Sequence, residues 1–352
     1  MLVGIYQSKD PNGNRLPRCR AYEEILKHNG IQFVSLVDNQ PDFWERVQEL
    51  DLFIMRWAHY DSDRQPAMTL LPLIENEYGI KCFPNHHTYW HYDDKIRQYF
   101  LMRAHGFPMV ESYVFWERQA ALGWTERAEY PVVFKLRGGA GSINVSLVKT
   151  PAQARKLVKR MFGRGVRPDS IFNFGGVRRT HFNPRRELGR LVHGWRRRRK
   201  GLDASPYWQA HKNYALFQKF LPGNDSDTRI TVIGDRAFAF RRMVRPGDFR
   251  ASGSGVIEYE MASIDLRCVE IALRVSRKMK FQAMAYDFLI DEENEPWFCE
   301  LSYTFLPNAV QACPGYWDAE LNWHEGHFWP EHLHLIDALN LPDLKAPDLD
   351  YC

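Results

Sequence analysis

No stretch of the 352-residue sequence approaches the about 18 consecutive apolar residues that a membrane-crossing helix needs, so no span is expected. Met1-Leu2-Val3-Gly4-Ile5-Tyr6 places no basic segment ahead of an apolar one, so no secretory leader is expected either. Cysteines are few: Cys19, Cys82, Cys268, Cys299, Cys313 and Cys352, with no C-x-x-C pair among them. This disfavours a disulfide framework or a thiolate zinc site and predicts reduced thiols in a cytoplasmic protein. No internal repeat is visible, and the net charge is only +4. What is there is a 45% hydrophobic fraction with 14% aromatics, enough for a real core and incompatible with a wholly disordered chain. The length suggests two or three modules. The small net charge hides an asymmetry, because residues 155–200 hold sixteen Lys and Arg against Asp169 and Glu187. That block carries +14, and the rest of the chain carries −10.

The first ninety residues alternate between short apolar runs and amphipathic stretches. Strands are predicted at 3–7, 32–37, 52–57 and 81–84, and helices at 19–28, 43–50 and 68–78, with Asn29-Gly30 and Gly79 as stops. This alternation is that of a parallel α/β domain. Ligands of such sheets gather at the carboxyl ends of strands, which makes Arg56 a candidate anion binder or, equally, a surface arginine on a loop. Further on, a helix is expected over 93–106 and a buried strand over 131–136 that enters a glycine-rich turn. A helix follows over 151–161, with Thr150 as its cap and Pro151 in its first turn. Strand-like runs follow at 216–221, 229–233 and 237–244, then a long helix from a Ser263 cap to Lys280.

Two segments carry chemistry. Residues 282–290 and 296–301 read as a hairpin around Asp291-Glu292-Glu293-Asn294-Glu295. With Ile290 opposite Trp297, Asp287 lies opposite Glu300, and directly opposed side chains are about 5 Å apart. Two such carboxylates repel unless a cation lies between them, and a hard divalent ion with oxygen ligands suits them. Ser302 shares the face of Glu300. The competing arrangement shifts the register and turns one acid to solvent. The second segment is Lys135-Leu136-Arg137-Gly138-Gly139-Ala140-Gly141-Ser142, where glycines after a strand can turn backbone N–H groups inward as an anion nest beside a lysine. It matches neither the Walker pattern nor G-x-G-x-x-G, and a plain hairpin loop is the alternative. His324-Glu325-Gly326-His327 falls one residue short of H-E-x-x-H and is a minor metal candidate on one helical face.

In order along the chain, Asp94-Lys95 before Gly106-Phe107-Pro108, then Pro131-Val132-Val133-Phe134-Lys135 with its glycine loop, Phe217-Gln218-Lys219-Phe220-Leu221, and Asp227-Thr228-Arg229 appear. Arg242, Gly247-Asp248-Phe249-Arg250, Asp287 and Glu300 complete the series. Over residues 90–305 this series resembles the ATP-grasp superfamily, specifically its RimK-like and D-alanine–D-alanine-ligase-like carboxylate–amine ligases. The resemblance implies an α/β (α+β) chain: a preceding α/β domain over 1–90, a first ATP-grasp lobe over 91–220 with a basic insertion at 163–212, a second lobe with the metal site over 221–305, and an extension over 306–352. It implies ATP and Mg2+, two ions, with Lys95, Lys135, Gly138, Gly139, Gly141 and Ser142 about the phosphates. Gln218, Lys219, Phe220 and Leu221 would lie along adenine, with Asp227 near the ribose. Asp287, Glu300 and Ser302 would hold metal, and Arg242 and Arg250 would stabilise transferring phosphoryl and oxyanion charge. Phosphoryl transfer needs such positioning and charge neutralisation more than covalent help.

The family carries Asn where this chain has Ser302, and often Asn after Gly-Asp-Phe-Arg, where Ala251-Ser252-Gly253-Ser254-Gly255 stands here. Arg56, Arg229, Ser252 and Ser254 are therefore tentative substrate residues. The resemblance implies a carboxylate and an amine as substrates, joined through an acyl phosphate. The basic block is a solvated insertion, a nucleic-acid contact through Trp195, or a steering surface for an acidic glycan of the polysaccharide-tailoring kind. Alternatives are a small-molecule amino-acid or peptide ligase and a nucleotide-regulated nucleic-acid-binding protein, nucleic acid being the weaker partner. The aromatic run Tyr316, Trp317, Trp323, Phe328 and Trp329 is expected to pack a C-terminal helical cap on the core.

Overall fold

The computed structural model describes residues 1–9, 14–139, 145–168, 192, 195, 199, 208–245, 247, 249–251 and 255–349. Strands β1 (Leu2–Tyr6), β2 (Gln32–Leu36), β3 (Leu52–Ile54) and β4 (Lys81–Phe83) form a parallel sheet in the order β2-β1-β3-β4. The helices Pro17–His28, Phe43–Gln48 and Asp61–Pro72 supply the crossovers, as the alternation predicts. The third begins earlier than residue 68, despite Pro66, because Asp61 and Asp63 stabilise its first turn. Proline normally argues against a helix interior, which is why the periodicity pointed to a later start. After Pro72 the chain continues as a π-helical turn, Leu73–Glu77.

A second, antiparallel sheet holds β5 (Ser112–Phe115), β6 (Val132–Lys135), β7 (Val145–Val148) and β8 (Ala215–Lys219) in the order β5-β8-β6-β7. The helix Pro151–Met161 covers it with Ala154, Leu157, Val158 and Met161, all fully buried against Phe134 and Phe217. The Thr150 hydroxyl accepts from the Gln153 amide, the expected cap.

The third sheet runs β13-β12-β9-β10-β14-β15, with β11 (Ile257–Glu258) on β10. Its strands are β9 (Ser226–Ile233), β10 (Arg236–Met243), β12 (Ala283–Ile290), β13 (Pro296–Ser302), β14 (Gly315–Trp317) and β15 (Trp323–Glu325). Helix Leu266–Met279 lies across one face through Cys268, Val269, Ala272, Leu273 and Val275, and Ser276 hydrogen-bonds the Tyr286 hydroxyl at 2.7 Å. Each such apolar side chain contributes about 1.5–3 kcal/mol when fully buried. The cap of this helix is Asp265, not Ser263, which lies in a preceding 3-10 turn. The second and third sheets are joined where Val110 donates to the Phe298 carbonyl at 3.1 Å and Phe298 to the Pro108 carbonyl at 3.1 Å.

The C-terminal aromatics do pack, but as an extension of the third sheet. Trp317 meets Trp323 across β14 and β15, and Tyr316 and Phe328 pack on Phe238. His324 is in a strand and bonds Asp318 at 2.7 Å, while His327 bonds the Gln311 carbonyl at 2.9 Å, so the two imidazoles share no helical face. Helix Pro330–Leu339 then packs on Pro17–His28. Among the described residues no helix is long and apolar enough to cross a membrane. Most of the basic block, including the cluster from Arg178 to Lys200 apart from residues 192, 195 and 199, lies outside the described residues. Val166 and His211 form an antiparallel bridge before and after it, and Arg199 covers the Trp195 ring at 3.8 Å.

Candidate active site

The register of the third sheet collects its charges on one face. Arg242 lies opposite Asp227, Arg229 opposite Asp287, and Asp287 opposite Glu300. Side chains two apart on a strand point the same way, so all five project from the side away from helix Leu266–Met279. The Asp287–Glu300 pairing is the expected one, but it is reached differently. Leu289, not Ile290, lies opposite Trp297, and a β-bulge next to Asp287 inserts Cys299 and restores the pair. The bulge also frees the Cys299 carbonyl, which accepts from Lys135 Nζ at 3.3 Å and Gln218 Nε2 at 3.4 Å. Both donors come from the second sheet, so the bulge ties the two sheets together at the cleft.

Within this face the arginines hold two of the acids tightly. Arg229 grips Asp287 with Nε at 2.7 Å and Nη2 at 2.8 Å. Arg242 grips Asp227 with Nε at 2.7 Å and Nη2 at 2.5 Å, and its Nη2 also reaches Asp287 at 2.7 Å. Burial alone would raise the Asp287 carboxyl, but Arg229 and Arg242 outweigh it and hold it well below the ordinary range. Burial, followed by the charge of Asp287, pushes Asp227 up to about 6. Asp227, expected at a ribose, thus has both oxygens committed to Arg242.

Across the cleft, Lys95 begins the helix Lys95–Ala104 and Lys135 ends β6. Asp94, fully buried, caps that helix through the Arg97 amide at 3.0 Å and pairs with Arg137 at 2.5 Å. The Lys95 amide donates to the Arg137 carbonyl at 2.9 Å, which bolts the helix start to the strand end. Lys95 Nζ then lies 3.1 Å from Glu300 and donates to the Gly139 carbonyl at 2.8 Å. Burial would lower its pKa, but Glu300 and Asp93 raise it, so the ammonium stays charged. Two groups here escaped sequence reading. Asp93 accepts from the Gly139 amide at 2.7 Å, and burial pushes its carboxyl up to about 7. His59, after β3, is lowered to about 4 by burial and by Lys95, so it is a neutral imidazole. Neither belongs to a periodic pattern or a motif.

A pocket opens between β6, β7 and the end of β8 on one side and the charged face on the other. Lys135, Gln218, Lys219, Phe220 and Leu221 line it with Asp227, Asp287, Glu300 and Arg250. Gln218 is anchored to Ser112 at 3.2 Å, Phe220 meets Phe249 edge-on at 5.9 Å, and Arg250 donates to the Val145 carbonyl at 3.4 Å. Asn224, in the Pro222-Gly223-Asn224 turn signal of the sequence, brackets Ile290 with bonds of 2.8 and 2.9 Å and pins the turn after Leu221. Gly138 and Gly139 lie against Asp93, whereas Gly141, Ser142, Ser252 and Ser254 fall outside the described residues.

Two expected site residues are used otherwise. Ser302 donates to the Thr304 carbonyl at 2.9 Å and accepts from the Thr304 amide at 3.3 Å, so its hydroxyl closes a turn rather than facing a metal. Among the described residues no three His, Cys, Asp or Glu side chains are grouped to hold a metal. The carboxylates available to a hard cation are Glu300, a third exposed, and Asp287, which it would share with the arginines. Arg56 is not a surface group. It is 3% exposed, stacked over Tyr303 at 4.9 Å and near Phe83 and Phe305, with its Nε unpartnered and Arg18 close enough to repel it. Burying a guanidinium this way costs stability, so Arg56→Met is expected to leave the unfolding free energy, measured by urea denaturation, unchanged or to raise it by about 1–2 kcal/mol. A loss above about 2 kcal/mol would show that ring stacking outweighs desolvation.

Residues 199–306 match the RimK-like ATP-grasp domain model. No curated protein matches the sequence. Among solved structures, D-alanyl-alanine synthetase A from Vibrio cholerae is similar with a TM-score of 0.57 at 10% identity, covering 97% of this chain and 98% of that one. An ATP-grasp RimK domain protein from Sphaerobacter thermophilus is similar at 0.50 and 14%, covering 86% and 90%. The ATP-grasp ligase PsnB, complexed with minimal precursor, Mg and ADP, is similar at 0.52 and 12%, covering 89% and 92%. Residues 199–306 thus match a RimK-like ATP-grasp domain, and the described residues share the fold of these solved ATP-grasp proteins.

Proposed function

We propose that this protein is an ATP-dependent carboxylate–amine ligase that makes an amide through an acyl phosphate. The supporting observation is that Lys135, Asp287 and Glu300 line the same pocket as Gln218–Leu221, with Lys95 Nζ 3.1 Å from Glu300 and Lys135 Nζ on the neighbouring Cys299 carbonyl at 3.3 Å. Lysines suit phosphate oxygens, and the opposing carboxylates suit the hard cation that accompanies a polyphosphate. Magnesium, when bound, would supply charge neutralisation at the phosphates, and Glu300 with Asp287 would hold it. Gln218, Lys219, Phe220 and Leu221 would border the adenine. Arg250, which reaches the strand after the glycine turn, would face the transferring group. Asp227 and Arg229 act as positioning residues, one orienting Arg242 and the other Asp287.

The reaction balances as two displacements. A carboxylate oxygen of the first substrate attacks the γ-phosphorus, the bond to the bridging oxygen breaks, and ADP leaves. The amine then attacks the acyl carbon, inorganic phosphate departs with the bonding pair, and the amine loses a proton. Water must be kept from the acyl phosphate, and residues of both sheets line the pocket.

For the carboxylate substrate, the +14 block of residues 155–200 favours an anionic acceptor, an acidic sugar or glycan in our reading, attracted by long-range steering. The test is ADP release with ATP and magnesium across panels of uronic and amino-acid carboxylates and of amines. Substrate-dependent ADP with uronides supports the reading in full. ADP with free amino acids alone keeps the ligase and removes the glycan. No ADP with any pair, together with salt-sensitive RNA binding, overturns both.

A further inference from the structure

Resting on the nucleotide reading of the cleft, we propose that Asp93 governs how strongly the glycine turn takes phosphate. Its carboxylate holds a backbone donor that an entering phosphate would use, and so weakens phosphate-bearing nucleotides relative to the bare nucleoside.

The geometry is specific. The Gly139 N–H donates to Asp93 Oδ1 at 2.7 Å. A Cβ built on Gly138 would meet Asp93 Oδ2 at 2.8 Å and the Asp93 carbonyl at 3.2 Å, so the carboxylate lies directly against the Gly138–Gly139 turn. Gly139 has φ +108°, a conformation open to glycine and costly for other residues, which aims its amide at the carboxylate. Asp93 itself has φ +52°, an uncommon conformation for a side-chain-bearing residue that persists where surrounding contacts hold it. Here the contact is the turn.

The charges support the same conclusion. Lys95 donates to the Gly139 carbonyl at 2.8 Å and pairs with Glu300 at 3.1 Å, while Asp93 acts on it as a second acid. Gly139 is therefore held at both of its backbone groups, the amide by Asp93 and the carbonyl by Lys95. In the protein without nucleotide this arrangement leaves neither the buried ammonium nor the turned-in amide without a partner, a condition that would be costly. The consequence for binding is an exchange. A phosphate arriving at the turn replaces one anionic acceptor with another and is repelled by the carboxylate it displaces. An adenosine that only fills the Gln218–Leu221 end feels neither effect.

The experiment is calorimetric titration, at pH 8 where the Asp93 carboxyl is ionised, of ATP, ADP and adenosine, each without metal and with magnesium, into the full chain, into Asp93→Asn and into Asp93→Gly. Asparagine keeps the shape and an acceptor but removes the charge. Glycine removes the carboxylate and suits the positive φ, so folding is protected, and a melting curve checks it. We expect both variants to bind ATP and ADP about tenfold more tightly than the original chain, the scale of one charge-assisted hydrogen bond. Adenosine affinity should stay the same. Unchanged or weaker ATP binding in folded variants, or an equal gain for adenosine, overturns the inference while leaving the ligase reading in place. An original chain that binds no adenine nucleotide overturns both.

Discussion

Glu300→Gln is expected to lower substrate-dependent ADP release at least about a hundredfold while leaving the protein folded. Glu300 projects from β13 into the pocket, a third exposed, with Lys95 Nζ at 3.1 Å. Glutamine keeps the length and volume but removes the charge, so a hard cation loses a donor and Lys95 loses its counter-charge. Removing one group aimed at charge that develops in the transition state costs about 10²–10³ in turnover. A moderate loss of stability is also expected, because the buried Lys95 ammonium loses its nearest counter-charge and keeps only the weaker influence of Asp93. The readouts are kcat at saturating magnesium, the magnesium concentration for half-maximal rate, and the melting temperature. Near-normal kcat in a folded variant would remove Glu300 from the metal and phosphate end of the cleft.

Arg242→Met should have the largest effect on stability. Arg242, Asp227 and Asp287 are all buried, each less than a tenth exposed, and the guanidinium bridges the two acids. Without it, Arg229 alone faces both carboxylates, and an uncompensated buried charge typically costs about 3–5 kcal/mol. The pH dependence has a definite sign. In the intact protein Asp287 is held below its ordinary value of 3.8, so its contribution is present above that value and is lost as pH falls through the lower folded one. Asp227 behaves oppositely. Its folded value of about 6 lies above the ordinary 3.8, so protonation favours the folded state as pH falls through 6. Removing Arg242 raises Asp227 further, so the deficit of the variant should be greatest near pH 8 and shrink toward pH 5. Urea denaturation at the two pH values measures this. A deficit below about 1 kcal/mol, or one independent of pH, would mean that packing rather than charge holds these strands.

Much of this arrangement was legible in the sequence. The strand–helix alternation of the first ninety residues, the Thr150 cap and the hairpin around residues 291–295 all carry local signals, and all are present. The Asp287–Glu300 pairing was anticipated with a regular register, and it holds only because Cys299 bulges. A bulge leaves no mark in an apolar alternation that is otherwise intact, so the carbonyl that receives Lys135 and Gln218 could not be foreseen. Spacing puts Ser302 on the face of Glu300, but its hydroxyl turns to Thr304 because a short side chain prefers a backbone partner within reach. The third strand stops at Ile54 rather than at residue 57, so Arg56 follows it, and whether that position is wet depends on Tyr303 and Phe305, more than 240 residues away.

By itself the sequence determined the succession of elements, the glycine turn after Lys135, the paired acids on the last hairpin and the resemblance that joins them. These follow from period, turn chemistry and short spacing, which are properties of neighbouring residues. The tertiary structure alone decided which charge answers which. Asp93 meets Gly139 across 46 residues, Arg137 meets Asp94 across 43, and Arg229 meets Asp287 across 58. A charged side chain has many partners of opposite sign within its composition and only a few within 3 Å, and that choice is made where the sheets meet.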